Sequence, residues 1–285
     1  MKKPLPIPPA APNPKAAPPT DATRLLGTHP APPHPLAGLL AATDGTTDKG
    51  VAHRGLGEVA GKRPAHVSYL REAVVRHHAS AVAVERNRKR REKIEKITGR
   101  KQPLVRLFPT SDKTRKGNLA EIVLAEYVLA ATGATLPVYR LRYNPNVEQS
   151  MKGDDVLAFD LGARPVRIVV GESKFRGESS VAAAKEIVEA LLRSHKAGLP
   201  ASLHFVANQL YEAGEDDVAD RVSECAELFA TGNLQLDYVG LLLSDPRASE
   251  RVVTGTPDGL TRLVMISLGI DDPNGFVPLC FDGLE

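Results

Sequence analysis

The spacing of apolar positions changes several times along this chain, and each change marks an element. From about His66 to Thr98 the sequence reads as one long helix, or two, with Gly99 as the C-cap. Leu119, Ile122, Val123 and Ala130 recur at helical spacing and predict a helix from about Asn118 to Ala131 that stops near Gly133. Short extended runs follow: Val138–Tyr143, where Tyr139, Leu141 and Tyr143 alternate, then Asp155–Asp160, then Val166–Phe175. A helix from about Ser180 to Lys196 is closed by Gly198 and Pro200. Beyond it the pattern predicts a buried strand at Leu203–Ala207, a helix over about Glu212–Ala230, and strands at Leu236–Leu243 and Leu263–Leu268. Helix, three strands, helix, strand is the order of a mixed α/β domain.

Composition alters this picture at the front of the chain. About half of the 23 prolines fall before residue 36, so residues 1–50 are expected to be a disordered Pro/Ala-rich tail that buries no core. Residues 51–110 then form a basic helical region and 111–285 the α/β domain. Net charge is +3, but it hides an asymmetry: residues 1–116 carry 23 Lys and Arg against 9 Asp and Glu, the rest 14 against 25. The front half is suited to a polyanion, and the acidic remainder calls for a cation or for buried carboxylates with a task. Arg86, Arg88, Lys89, Arg90, Arg91, Lys93 and Lys96 make the densest basic run. His77 and His78 are expected on the surface of their helix. No apolar stretch has the length of a signal-peptide core or of a membrane span, and Cys225 and Cys280 lack the spacing of a zinc site, so a cytoplasmic protein with no membrane partner is expected.

The chemistry concentrates in two segments, Lys152-Gly153-Asp154-Asp155 and Arg167 to Phe175. An apolar strand that ends in Glu172-Ser173-Lys174 puts the acid and the lysine on one face, because side chains alternate with period two. The connection Leu161-Gly162-Ala163-Arg164-Pro165 reads as a turn between antiparallel strands, and a centre between Ala163 and Arg164 sets Asp155 opposite Glu172. Opposed Cβ atoms lie about 5 Å apart, so two carboxylates there repel unless a cation stands between them. A hard divalent ion, Mg²⁺ with Mn²⁺ as its substitute, suits such oxygen donors. Lys174 is placed to offset charge on a phosphate, and Glu121 of the preceding helix supplies a third carboxylate. Lys116, Arg176, Lys185 and Arg193 are candidate phosphate contacts, with the helix N-terminus at Ser179 and Ser180 as a further one.

With these residues the sequence resembles the PD-(D/E)xK nuclease superfamily, whose restriction-endonuclease-like αβββαβ core matches the predicted order. More narrowly, Lys116–Leu124, Met151–Asp155 and Gly171–Phe175 are similar to the blocks of the HamA family, the nuclease component of Hachiman anti-phage defence. The resemblance spans about residues 66–285. It implies a Mg²⁺-dependent DNA endonuclease working as a heterodimer with a separate superfamily-2 helicase, the HamB-like partner. It also implies Asp155 and Glu172 as metal ligands, Lys174 as the catalytic lysine and Glu121 as the helix carboxylate. No proline precedes the Gly-Asp-Asp, so Asp154 stands as the alternative ligand to Asp155. Two other functions stay open at this point: a non-catalytic DNA- or partner-binding subunit, and a recombination or repair nuclease of the same fold.

Overall fold

A computed structural model describes residues 20–100, 106–149 and 151–284. Its central element is α5 (Asp112–Thr132), closed at Gly133. Twelve of its residues are buried, among them Leu119, Ile122, Val123, Leu124 and Val128. An ordinary amphipathic helix leaves one face wet. Here the sheet takes one side of α5, and α3 (Arg63–His78) and α11 (Pro273–Phe281) take others.

Among the described residues the sheet has six strands in the order β1-β2-β6-β5-β4-β3. They are β1 (Leu40–Thr46), β2 (Ala52–Glu58), β3 (Val156–Asp160), β4 (Val166–Phe175), β5 (Leu234–Ser244) and β6 (Leu263–Gly269). The hairpins β1–β2 and β3–β4 are antiparallel, and β2, β6, β5 and β4 run parallel. Alternation along the inner strands feeds two cores. Val169, Val239, Leu241, Val264 and Ile266 face α3, α5 and α11, whereas Ile168, Val170, Leu242 and Met265 face α6 (Val181–Ala197) and the helices after it. Strands buried on both faces read as continuous apolar runs, which is why β4, β5 and β6 were legible in the sequence.

The turn also fixes the hairpin as expected. Val156 pairs with Gly171 and Asp160 with Arg167, the register that points Asp155 toward Glu172. Gly171 is required there, because a Cβ would lie 2.8 Å from Val156 Cβ and 2.9 Å from Leu124 Cδ2.

Several expectations are corrected. Residues 20–50 are not a disordered tail: they hold α1 (Asp21–Leu26), α2 (Leu36–Leu39) and β1, while residues 1–19 lie outside the described residues. The segment 51–110 is not only helical, since β2 joins the sheet through β6. Val138–Tyr143 is not a strand but a loop ending in a 3-10 turn, Arg140–Tyr143. The alternation misled because Tyr139 and Tyr143 each pack on a separate neighbour, Tyr139 on the His77 ring at 4.7 Å and Tyr143 on Phe205 at 5.9 Å. Leu203–Ala207 is not a strand but the first half of α7 (Leu203–Glu212); Leu203, Val206, Ala207 and Leu210 bury a helical stripe that a five-residue apolar window cannot distinguish from a strand. The single helix expected over Glu212–Ala230 is broken into α8 (Asp216–Ser223) and α9 (Cys225–Ala230), after a turn at Gly214 with φ of +76°. The one or two helices expected over His66–Thr98 are two, α3 and α4 (Ala81–Thr98). Both cysteines are free and buried, and no described helix is long and apolar enough to cross a membrane.

His77 and His78 do not lie on the helix surface. Both are buried where the end of α3 packs on α5. Glu126 of α5 accepts from Tyr69 Oη (2.7 Å) and Arg76 Nη2 (2.7 Å) and pairs with His77 Nε2 (2.8 Å). His78 bonds the Val74 carbonyl through Nδ1 (2.8 Å) and Asn118 through Nε2 (2.9 Å). Burial pushes the His78 imidazole down to about 4. The unfolded chain, with a histidine near 6.5, therefore binds the proton more readily, and stability is lost as pH falls from about 6.5 toward 4. Between pH 7.5 and 5 this group accounts for about 2 kcal/mol. Urea unfolding of His78→Gln at the two pH values is expected to show a pH-dependent loss smaller by that amount.

Candidate active site

The C-terminal end of β4, which runs parallel to β5, meets the N-terminal half of α5 and the Gly-Asp-Asp loop at a cleft of about 700 Å³. Glu121, Asp155, Glu172, Lys174, Lys116 and Arg176 all line it. Lys185 and Arg193 do not; both are exposed on α6, and Lys185 faces Glu189 at 3.8 Å.

Glu172 and Lys174 share the face set by Ile168 and Val170, and they form a direct ion pair. Asp155 lies one residue before β3 and uses its carboxylate to continue the ladder. Its Oδ2 accepts from the Ser173 backbone N–H (2.8 Å) and from Ser173 Oγ (2.9 Å). The register is as predicted, but the Asp155 oxygens sit at the end of the strand instead of facing Glu172 as a simple cross-strand pair. Asp154 points elsewhere: its Oδ1 accepts from Ser194 Oγ (2.9 Å) and its Oδ2 from the Ser202 N–H (3.3 Å), which fastens the Gly-Asp-Asp loop to the helices behind. Of the two aspartates, Asp155 is the one that faces the cleft.

Glu121 is buried, one turn along α5 from Gly117. Sequence reasoning missed its partner. Arg140, in the 3-10 turn, donates to Glu121 Oε1 from Nε (2.6 Å), to Glu121 Oε2 from Nη2 (3.0 Å), and to Asp155 Oδ1 from Nη2 (3.2 Å). Reading Val138–Tyr143 as a strand hid it; the only sequence signal was a pair of arginines, Arg140 and Arg142, shortly before the acidic loop. Burial raises the Glu121 carboxyl to about 7 against the pull of Arg140, and the charges of Asp155 and Glu172 add to the rise. The Glu172 carboxyl is raised by burial and then by Asp155, with Lys174 opposing.

The three carboxylates thus form one electrostatic unit with an excess of negative charge. Clustered oxygen donors of this kind, with Glu121 and Glu172 both raised by burial and by the charge of Asp155, suit a hard divalent ion that keeps several waters. Among the described residues no group of three His, Cys, Asp or Glu side chains is placed to hold a metal ion by itself. Asp155 and Glu172 both line the cleft, where the Asp155 oxygens accept from Ser173 and Arg140 and Glu172 pairs with Lys174.

The cations at the rim are partly committed. Lys116 pairs with Asp112 at 2.7 Å and lies 5.6 Å from the centre of the Phe175 ring. Arg176 pairs with Glu186 at 2.5 Å. The start of α6 is already capped, since Ser180 Oγ accepts from the Ala183 N–H (3.3 Å) and Ser179 Oγ donates to Asp245 (2.7 Å). Lys113 and Lys152 also line the cleft and were not anticipated.

Comparison with known proteins places this arrangement in a family. The sequence profile of HamA matches residues 53–277. The chain is 35% identical over 234 residues to the Hachiman protein HamA of Bacillus cereus, an alignment that takes in 82% of this chain and 84% of that protein. The matched region starts in β2 and ends in α11, so it contains the cleft and every residue that lines it. On these matches the chain belongs to the HamA family.

Proposed function

We propose that this protein is a Mg²⁺-dependent deoxyribonuclease, the effector of an anti-phage defence complex in which a separate superfamily-2 helicase is the partner. One observation carries the reading: the hairpin register and the parallel strands bring Asp155, Glu172 and Lys174 to one cleft, with Glu121 at its wall. The relative's name, Hachiman protein HamA, supports the defence setting.

Asp155 and Glu172 would hold the ion. When bound, it would supply Lewis acidity and a water of lowered pKa. Ser173 holds Asp155 in place through two hydrogen bonds, and Arg140 ties Asp155 to Glu121, so the carboxylates keep their orientation without rotameric search. Lys174 presents its ammonium at the mouth of the cleft, where a phosphodiester gains negative charge as it is attacked. No aromatic row lines the cleft, so recognition of backbone and shape suits it better than the reading of stacked bases.

The test is relaxation of supercoiled plasmid by the chain alone and with its helicase partner. Cleavage is expected with Mg²⁺, and none with EDTA or in Glu172→Ala. Activity that survives both treatments refutes the proposal. The rival, a non-catalytic subunit, draws on the fact that Arg140 and Lys174 already neutralise part of the acidic charge. Calorimetric titration with Mn²⁺ separates the two: a site lost in Asp155→Ala is expected for the nuclease, and no site for the rival.

A further inference from the structure

Helix α4 is mostly polar, with its apolar residues near its two ends, and most of its surface meets solvent. Its N-cap Ser80 accepts from the Ala83 N–H at 3.1 Å, and Gly99 ends it in the left-handed conformation, so its limits are set locally. The residues it shields from solvent are Ala83, Val84, Glu85, Asn87, Arg91, Ile94 and Glu95, of which Asn87 is buried. At 100° per residue the opposite side carries Arg86, Lys89, Lys93 and Lys96, spaced i, i+3, i+7 and i+10, and all four are exposed. Glu85 and Glu92 lie on the adjoining flank, where Arg88 bridges them (2.8 and 2.5 Å). Lys89 reaches Glu85 only at 3.4 Å, and among the described residues Arg86, Lys93 and Lys96 make no ion pair. The outward row is therefore of one sign and largely uncompensated.

Two features point to a phosphate backbone as its counterpart. The row from Arg86 to Lys96 covers about 15 Å at 1.5 Å per residue, the length of four to five nucleotides at about 3.4 Å each. It is also rich in lysine, which protein interfaces exclude from their centres, and it has no aromatic anchor; the apolar residues exposed on that side, Val82 and Ile97, stand at the two ends. Its position fits as well. His78, two residues before the N-cap, is bonded to Asn118, and Asn118 lines the cleft. The basic helix thus starts at the wall of the candidate active site.

We propose that the outward face of α4 contacts the backbone of duplex DNA and holds it beside the cleft. The inference rests on the reading of the cleft as one that acts on DNA, but it is measured without cleavage. Fluorescence anisotropy of the full chain on a 30-base-pair duplex, in EDTA and over a series of salt concentrations, gives affinity and its salt slope. The wild-type chain is expected to bind. The quadruple variant Arg86→Gln, Lys89→Gln, Lys93→Gln, Lys96→Gln is expected to bind at least tenfold more weakly, with a log–log slope shallower by about 2 to 4, since each lost phosphate contact removes about 0.9. Glutamine is a good helix former, and circular dichroism confirms that the helix is retained. Exchange of the same four residues between Lys and Arg is expected to preserve binding. As a control, Arg24, Lys49 and Arg164, exposed at the other end of the sheet, are replaced by Gln with no change in slope expected. Three results overturn the proposal: an unchanged quadruple variant, an equal loss in the control, or a wild-type chain that binds no DNA. A wild-type chain that binds DNA through this helix yet never cuts it, with Mg²⁺ and the helicase present, counts against the nuclease reading alone.

Discussion

If the cleft cuts DNA as proposed, replacing Lys174 by alanine is expected to lower the rate of cleavage about a thousandfold, the size of effect seen when one preorganised charge is removed from a developing anion. The side chain is 30% exposed and makes its ion pair with Glu172, so its loss opens no cavity, and stability is expected to change by less than about 1 kcal/mol. The loss acts by two routes. The ammonium no longer meets the phosphate, and Glu172, already raised by burial and by Asp155, loses the group that opposes the rise and holds its negative charge less readily. Lys174→Arg keeps the charge but not the compact point geometry, and intermediate activity is expected. Single-turnover cleavage of a labelled duplex, with thermal unfolding of each variant in parallel, makes the comparison. A Lys174→Ala protein that cuts at the wild-type rate would falsify the role assigned to this residue.

Arg54→Met is expected to cost about 3–5 kcal/mol, the range for breaking one side of a buried pair. Arg54 on β2 lies directly opposite Asp44 on β1 and is 1% exposed. Its Nε donates to Asp44 Oδ1 (2.6 Å), its Nη2 to Asp44 Oδ2 (2.8 Å) and its Nη1 to the Gly27 carbonyl (2.9 Å). Thr20 and Thr23 donate to the same Asp44 oxygen at 2.6 and 3.0 Å. Burial alone would raise the Asp44 carboxyl, and these partners outweigh it and hold it at about 2. Once the arginine is gone, a desolvated carboxylate and an unmatched carbonyl remain. The double variant Arg54→Met with Asp44→Leu is expected to recover part of the loss, because both members then leave together. Urea unfolding measures each step, and limited proteolysis of the single variant is expected to cut first within residues 20–50, which this pair ties to the sheet.

The pair also shows where the sequence was opaque. Leu40–Thr46 reads Leu-Ala-Ala-Thr-Asp-Gly-Thr, with little β-branched or aromatic content, and it follows a proline-rich stretch. Composition pointed to disorder, while the strand is held by its ladder with β2 and by one ion pair formed in three dimensions. The site was far more legible. A Gly/Pro turn between two apolar runs fixed the β3–β4 register, and that register placed Asp155 by Glu172 and set Lys174 beside them. Glu121 followed from helical spacing. Arg140 was not legible, because a 3-10 turn has no periodic signature and the contacts of this residue reach 15 and 19 positions away. The helical identity of Leu203–Glu212 was hidden for a different reason: its first five residues were read alone, before the stripe at Val206, Ala207 and Leu210 had completed a second turn.

The strand order bears on how the molecule is made. His53 on β2 bonds Ser267 on β6 across 214 positions, and β6 separates β2 from β5. β1–β2 cannot take its place in the sheet until β6, far along the chain, has been made, so it waits as an unattached ribbon while the intervening segments are synthesised. The β3–β4 ribbon, joined by a short turn, needs no such delay. A nascent chain stopped ahead of Leu263 carries the acidic loop and its lysine but leaves the flanks of β2 and β5 open, which makes the arrival of β6 the step that covers those edges against self-association.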